Sequence, residues 1–295
     1  MAEPMVTGVL DIDKALGLVI VAANRQNDHK GTMPMLATRK TLRRRTGLAY
    51  SEVYYKRLQA YPISDTTWES NPQILTDQAH RTYLQMISIF IAWNWRVKAR
   101  LQVDALKEYG ELAGMAVKRR INEEGLVTLG SGGEQFTVTT LSVGTLSNAK
   151  TRINNSDNPP MDKRQCYAVF HSYSNLAVYN EIANLTGSNF GVRPLQGMTA
   201  EAVRQGPMPE YRYGGVTGFD DDNIKRVSNN AKGGIFNKDG VWYIIGEKSS
   251  EKKRIAERGG GSDGLFIRSE QAWTIPPWMS DHVYSVTAGA MQPSF

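Results

Sequence analysis

Residues 95–126 read WRVKARLQVDALKEYGELAGMAVKRRINEEGL, and this stretch decides the architecture. It contains no proline, it is rich in Ala, Leu, Glu, Lys and Arg, and its apolar residues recur at helical spacing. At 1.5 Å per residue, a helix over this range is roughly 45–50 Å long, far longer than the average globular helix. Gly125 is placed to end it. No other segment has a helical signal of this strength, so we predict a spine helix that carries the rest of the chain.

The predicted spine helix has one broad apolar face and one charged face. Gly110 and Gly114 lie four apart, where they would let a strand or a neighbouring backbone approach closely. The opposite charges on the other face are spaced to pair four apart, at Arg100/Asp104, Lys107/Glu111, Arg119/Glu123 and Arg120/Glu124.

The composition is that of a soluble protein with one large or two medium domains. The chain has 295 residues, of which 41% are hydrophobic and 22% charged. The net charge of +6 arises from 35 basic and 29 acidic residues. A dedicated nucleic-acid binder usually concentrates its charge more than this, so a mildly basic soluble surface is the favoured interpretation.

The single cysteine and the apolar runs favour an intracellular, reducing setting. Cys166 alone excludes an intramolecular disulfide, and its apolar surroundings (CYAVF) indicate a buried thiol rather than a nucleophile. No run approaches the roughly 18 apolar residues that a membrane span requires. The N-terminus has no basic start before its apolar residues, so a signal peptide is not predicted and no membrane contact is expected.

The first 94 residues contain little that could fold alone. Residues 1–47 are predicted to form an N-terminal arm that lies against the body or crosses to a neighbour, and its Arg43–Arg45 run is either solvated or a phosphate contact. Residues 48–94 are predicted to form a long hairpin with arms YSEVYYKRLQAY and YLQMISIFIAWNW around a polar excursion. An isolated hairpin is marginal in water, so it needs a partner surface. Two strands of an internal sheet are the alternative.

The remaining chain divides at about residue 225. After the spine segment, which we bound at 95–132, residues 133–225 contain a helix over Thr137–Ile153, a buried strand (QCYAVFHS) and another helix (YSNLAVYNEIANL), which indicate an α/β unit. The acidic turn FDDDN is expected to be solvated rather than a cation site. Residues 226–295 return to strands, with EKSSEKKRIAERGGGSDG expected as a surface loop.

No enzymatic site is predicted. The four histidines are scattered singly, without a second ligand at metal-binding spacing. His171 precedes Ser172, but no GxSxG turn or third member accompanies them. No dinucleotide-binding or HExxH pattern occurs. We therefore predict no catalytic residue, cofactor or metal.

Taken in order, these features resemble the major capsid protein of tailed bacteriophages, whose fold is shared with encapsulins and the herpesvirus capsid floor. Three segments carry the resemblance: ISDTTWESNPQIL (63–75), GELAGMAVKRRINEEGLVTL (110–129) and INNSDNPPMDKRQCYAVFHSYSNLAVYNEI (153–182). The family often has Asp at the position of Asn122, and a proline at the position of Ser172.

The resemblance implies an α+β fold with an N-terminal arm, an extended β-hairpin loop, a spine helix in a peripheral domain and an α/β axial domain over 133–225. It also implies self-assembly as hexamers and pentamers into an icosahedral shell around viral double-stranded DNA. A virion location, assembly in the host cytoplasm, a portal protein, and scaffolding or cement partners follow from the same resemblance.

Two sets of residues are expected to carry this function. Aromatic residues of the hairpin and glycines of the helix are expected at the assembly interface: Tyr54, Tyr55, Trp68, Trp93, Trp95, Gly110 and Gly114. Basic residues of the arm and the helix are expected to face packaged DNA without sequence specificity: Arg43, Arg44, Arg45, Lys118, Arg119 and Arg120.

Two other functions stay open on the sequence. An encapsulin-like cellular shell has the same fold and would enclose cargo proteins. A soluble nucleic-acid-binding protein would use Arg43–Arg45 and the WNW aromatic residues at 93–95, and would bind DNA as a monomer in a salt-dependent way.

Overall fold

The computed structural model describes residues 31–42, 47–55, 77–94, 103–156, 160, 162–187, 211–255 and 262–291. These residues form four α-helices in a mixed α and β arrangement, and the helices are α1 (Thr32–Leu36), the spine helix α2 (Val103–Ser131), α3 (Val143–Asn154) and α4 (Ser172–Gly187).

A six-stranded sheet lies at the centre of the described residues. Its strand order is β13-β10-β6-β8-β7, with β9 also pairing with β10, and only the β6–β8 pair is parallel. The strands are β6 (Cys166–Phe170), β7 (Tyr211–Tyr213), β8 (Val216–Asp220), β9 (Arg226–Val227), β10 (Asn230–Asn237) and β13 (Val283–Gly289).

A four-stranded sheet and a two-stranded hairpin complete the strand pairing. The four-stranded sheet has the order β1-β11-β12-β4, and the hairpin pairs β2 with β3. These strands are β1 (Thr38–Thr41), β2 (Ala49–Tyr55), β3 (Asp77–Tyr83), β4 (Gln85–Asn94), β11 (Trp242–Ile255) and β12 (Ser262–Thr274), and the short β5 (Glu134–Val138) lies against β13.

The six-stranded sheet separates two hydrophobic cores. Ala168 and Ile235 point to the side of α3, whereas the adjacent Val169 and Phe236 point to the side of the spine helix. Both sides are covered, so β6 is apolar along its length, as strands buried on two faces require. The buried strand and the two helices predicted around it are confirmed, but the predicted start of the first helix at Thr137 was wrong. Thr137 and Val138 belong to β5, and α3 begins after the Ser142 cap.

The spine helix is confirmed over Val103–Ser131 and ends later than Gly125, whereas its predicted first turns, 95–102, lie outside the described residues. It continues through Gly125, where an added Cβ would lie 2.9 Å from Met33 Cβ and from the Trp273 ring. That glycine therefore permits close packing and does not cap the helix. The chain leaves the helix after Ser131, and Gly133 has a φ of +61°, a conformation that glycine adopts without strain.

Two strand predictions were wrong. The return arm of the hairpin is β3, which lies inside the expected polar excursion, whereas the run YLQMISIFIAWNW supplies β4 of the four-stranded sheet. The second error concerns EKSSEKKRIAERGGGSDG, because β11 and β12 stay paired as far as Ile255 and Ser262. The β3 sequence, DQAHRTY, and the second half of β11, SSEKKRI, are polar. Polar strands lack the apolar alternation that sequence analysis relies on.

Candidate functional site

The β2–β3 hairpin has one face against the body and one face exposed. Tyr50, Glu52 and Tyr54 alternate with Ser51, Val53 and Tyr55 along β2, and successive side chains of a strand point to opposite sides. The Tyr54 ring stacks on Trp278, with centroids 5.1 Å apart, and Tyr50 meets Trp242 edge-on at 6.3 Å. Trp278 also contacts Trp242 edge-on at 5.9 Å. We call Tyr50, Tyr54, Trp242 and Trp278 the hairpin anchor.

Charged and polar contacts reinforce the hairpin anchor. Lys40 Nζ lies 3.0 Å from a Glu52 carboxylate oxygen and 4.6 Å from the Trp242 ring centroid. The Tyr50 hydroxyl donates to the same carboxylate. Burial, followed by this contact with Glu52, raises the pKa of Tyr50 above its ordinary value. The hairpin is thus fixed at its base by its own chain.

His80 joins the hairpin to the four-stranded sheet. Its Nε2 lies 2.8 Å from Thr274 Oγ1 and 3.0 Å from Thr82 Oγ1, and its ring meets Trp278 edge-on at 6.0 Å. Burial lowers the pKa of His80 below 6.5. The neutral imidazole is therefore the form that the folded hairpin favours.

The outer face of the hairpin is free to contact a partner. Tyr55 is 57% exposed, Val53 is also exposed, and Arg81 stacks over the exposed Tyr83 ring on the neighbouring strand. An aromatic and aliphatic surface with an arginine has the composition of a protein interface.

The spine helix carries a second exposed apolar surface in its first half. Tyr109, Leu112 and Met115 are spaced at three-residue intervals and are 42%, 54% and 48% exposed. Residues at this spacing lie on one face of a helix. We call these three side chains the helix stripe.

The predicted interface residues fall into three groups. Tyr54 contacts its own chain in the hairpin anchor, whereas Tyr55 is exposed. Gly110 and Gly114 are buried within the chain. Trp68 and Trp95 lie outside the described residues, and only the backbone of Trp93 is described, paired with Asp263. A role for these residues between copies stays a prediction.

The predicted DNA-facing residues of the helix are largely compensated. Arg119 Nε lies 3.3 Å from Glu123 Oε1, and Arg120 Nε lies 3.1 Å from Glu124 Oε1, which confirms two of the four predicted pairs. The other two, Arg100/Asp104 and Lys107/Glu111, involve side chains outside the described part of the chain. Lys118 is half-buried, and burial lowers its pKa. The Arg43–Arg45 run lies outside the described residues.

A buried polar junction joins the N-terminal side, the spine helix and the central sheet. The Met33 backbone N–H donates to Asn122 Oδ1 (2.9 Å), and Asn122 Nδ2 donates to Asp221 Oδ2 (2.6 Å). Asn223 donates to the other Asp221 oxygen from its backbone N–H (3.0 Å) and its side-chain amide (2.8 Å). Both Asn122 and Asp221 are nearly fully buried. Every polar atom named here has a partner, as buried groups require.

The acidic turn is therefore structural, and the expectation of a solvated turn was wrong for the buried Asp221, although Asp222 is exposed. Asp222 accepts a hydrogen bond from Ser172 at the start of α4, and Asp220 accepts from Asn175 and Tyr179 of the same helix. Carboxylates at the start of a helix stabilise it through its dipole. The run of three aspartates gave no sign of these partners, because they lie 41 to 50 residues away in the sequence.

His171 and Ser172 do not form a nucleophilic pair. His171 Nδ1 accepts a hydrogen bond from the Tyr173 backbone N–H (3.1 Å), and the Ser172 hydroxyl bonds Asp222 instead. Among the described residues, no group of three or more His, Cys, Asp or Glu side chains could hold a metal ion. In the same part of the chain, no helix is long and apolar enough to cross a membrane. Cys166 is buried, as predicted.

A cleft of about 590 Å³ lies beside the second half of the spine helix. Leu126 and Val127 of the helix, Ile224 before β9, and Trp273 of β12 supply its apolar lining. Sequence analysis missed this cleft, because its lining comes from five separate segments of the chain.

Comparison with known proteins finds this fold among solved structures. The sequence matches no family model and no curated protein. The fold is similar to the head structure of Helicobacter pylori bacteriophage KHP40, with a TM-score of 0.64, 10% identity and coverage of 86% of this chain and 87% of that one. It is similar to the capsid of Ralstonia phage GP4, with a TM-score of 0.63, 12% identity and 88% coverage of both chains.

The SrpI encapsulin of Synechococcus elongatus is also similar, with a TM-score of 0.58, 12% identity and coverage of 93% of this chain and 97% of that one. At these identities the likeness concerns the fold. The chain has the α+β fold found in phage capsids and encapsulins, and the resemblance predicted from the sequence is confirmed at that level.

Proposed function

We propose that this protein is a viral capsid subunit that assembles as hexamers and pentamers into an icosahedral shell around double-stranded DNA. The observation that carries the proposal is the fold itself, which matches phage capsid chains over 86% or more of this chain in the comparisons above. The protein acts as structural material, with no chemical step of its own.

Two exposed surfaces support self-assembly. The outer face of the hairpin and the helix stripe both present aromatic and aliphatic side chains to solvent. Covering exposed apolar area stabilises the assembled state by about 25 cal/mol for each Å² that is buried. Copies of the same chain supply that cover in a closed symmetric assembly, where each subunit offers the same surfaces to its neighbours.

The remaining partners follow from a shell around DNA. A portal protein would occupy one vertex, and scaffolding or cement proteins would assist assembly or reinforce the lattice. Arg43–Arg45 and Lys118–Arg120 remain the proposed contacts with DNA, although the ion pairs of Arg119 and Arg120 reduce the charge that they offer. The virion is then the location of the mature protein, after assembly in the host cytoplasm.

An encapsulin-like shell is the second candidate, and one observation favours it. The alignment with the SrpI encapsulin covers a larger share of both chains than either phage alignment above. Such a shell would enclose cargo proteins in place of a genome.

Electron microscopy of the purified full-length protein tests the proposal. Closed icosahedral shells, or arrays of pentamers and hexamers, are the expected result. A compact monomer at every protein concentration would contradict both candidates. The contents of particles from the native source then separate them, because a viral shell holds nuclease-protected DNA and an encapsulin-like shell holds protein.

A further inference from the structure

The cleft beside the spine helix combines an apolar floor with unpaired positive charge. Arg120 lines it together with Glu123 and Glu124, and these three charges compensate one another through contacts of 3.1 to 3.8 Å. Lys225 and Lys232 also line the cleft, and both are exposed. Neither lysine forms an ion pair with another described side chain.

This lining fits a peptide segment that alternates apolar and acidic residues. Val127 is 71% exposed at the cleft, and the half-buried Trp273 adds apolar surface that a ligand would cover, while Leu126 and Ile224 lie nearly buried beneath. An extended segment places alternate side chains on opposite sides, so one side can meet the floor while the other reaches the lysines.

The chain reaches the described body next to this cleft. An added Cβ on Gly31 would lie 3.2 Å from Asn122 Oδ1. Asn122 donates to Asp221, which also accepts from Asn223, and Asn223 lines the cleft. Residues 1–30 precede Gly31 and lie outside the described residues. The point at which they join the described body is thus two side chains, Asn122 and Asp221, from the cleft lining.

Residues 1–30 contain one segment with the required alternation. Val9–Asp13 reads VLDID, in which Leu10 and Ile12 alternate with Asp11 and Asp13. Eighteen positions separate Asp13 from Gly31, and an extended chain of that length spans up to roughly 60 Å, so the tether allows the segment to fold back. Tethering gives short linked segments an effective concentration of about millimolar, so weak contacts suffice.

We infer that residues 9–13 of this chain bind in the cleft of the same chain, with Leu10 and Ile12 on its apolar floor and Asp11 and Asp13 beside Lys225 and Lys232. The cleft is then an internal docking site for the N-terminal arm. The inference does not rest on shell formation, because it concerns one copy of the chain.

Disulfide trapping in the unassembled full-length subunit, in which no neighbouring copy can cover the control position, tests the inference. Ile12→Cys is combined with Val127→Cys, and the matched control combines Ile12→Cys with Leu112→Cys on the same helix, about 22 Å away along its axis. Leu112 is also exposed, and the native Cys166 is buried, so background reaction is low. Mild oxidation is followed by non-reducing electrophoresis and by intact mass.

The expected result is an intrachain disulfide in the Val127 pair that forms at least about tenfold faster than in the Leu112 pair, as the higher local concentration requires. Equal rates in the two pairs would overturn the inference, and so would a disulfide that joins two chains. Particle formation is measured separately, so the trapping result can be interpreted even if the protein forms no particles.

Charge reversal provides a second, independent test. Lys225→Glu with Lys232→Glu should slow trapping in the Val127 pair by about fivefold or more at low salt, and Asp11→Lys with Asp13→Lys should restore it. Lys163→Glu with Lys248→Glu, at two exposed lysines elsewhere, is the control and should leave the rate unchanged. Slowing without restoration by the swapped charges would contradict the proposed pairing.

Discussion

The two halves of the spine helix differ in what covers them. The second half is packed within its own chain, where Val117, Ile121 and Leu129 are almost fully buried. The first half leaves the helix stripe exposed, with Leu112 at 54%. Under the proposed assembly, one helix serves two purposes: its second half holds the subunit together, and its first half contacts a neighbouring copy.

This contrast separates folding from assembly along a single element. Removal of a contact in the second half should unfold the subunit, whereas removal of a contact in the first half should leave the subunit folded and weaken association. Substitutions of the same residue type in the two halves can therefore test the division directly.

The largest effect is expected from Leu129→Ala in the second half. Leu129 is fully buried in the core between the helix and the central sheet. Deletion of buried methyl groups and the cavity left behind cost about 2–5 kcal/mol. Urea denaturation of the unassembled subunit measures the loss, and a change below about 1 kcal/mol would show that this half does not carry the core.

Asn122→Asp should come next, and it should depend on pH. The new carboxyl would face Asp221 across a contact that is 2.6 Å in the native chain, so two carboxylates could not both be ionised there without a large penalty. We expect a loss of about 2–3 kcal/mol at pH 7, by analogy with other uncompensated buried groups.

The sign of the pH effect follows from that pair. Burial and mutual repulsion raise the pKa of the pair in the folded state above its value in the unfolded chain, so the folded state binds more protons. The deficit of the variant relative to the native protein should therefore shrink as the pH falls from 7 to 5. Denaturation curves at both pH values measure this, and a deficit that does not change with pH would argue against a shared carboxyl pair.

Leu112→Ala should leave the subunit folded and weaken its association. Loss of exposed apolar atoms changes subunit stability by no more than about 0.5 kcal/mol. If a neighbour covers the helix stripe, the same change should cost roughly 1–2 kcal/mol of association free energy, which raises the concentration needed for assembly by about tenfold. Light scattering against concentration gives this value, and native-like assembly would place the helix stripe outside the interface.

The smallest effect is expected from His80→Gln at the hairpin base. The folded-state pKa of His80 lies below 6.5, so the unfolded chain binds more protons in the window between the two values. The stabilisation by His80 is present above pH 6.5 and is lost as the pH falls below it. The unfolding temperature of the variant should depend less on pH between 7 and 5 than that of the native protein. An unchanged pH dependence would show that His80 is not the group responsible.

The sequence predicted the elements whose local pattern agrees with their burial. The spine helix, the apolar strand β6 and helices α3 and α4 each have the periodicity that their packing requires. The wrong predictions concern positions at which tertiary contacts determine the local structure. Glycine is typical of helix ends, yet Gly125 lies within the helix, where its lack of a side chain lets Met33 and Trp273 pack against it.

The interaction surfaces were less predictable than the fold. Tyr54 and Tyr55 are adjacent aromatic residues, and only the alternation of β2 against the body shows that the first contacts Trp278 and the second contacts solvent. The partners of Asp221 and the lining of the cleft come from distant segments. Residues that come together from distant segments have no characteristic spacing in the sequence, so sequence analysis cannot find them.

Cysteine labelling at Leu112 tests the central claim that the first half of the spine helix is kept for a neighbouring copy. Leu112→Cys is labelled with a small maleimide in the free subunit and in assembled particles, with Val227→Cys, at a position 71% exposed, as a control for reagent access. We predict that assembly slows labelling at position 112 by about tenfold or more while the control still reacts, as burial of a thiol requires. Equal labelling of position 112 in the free and assembled protein would contradict the account.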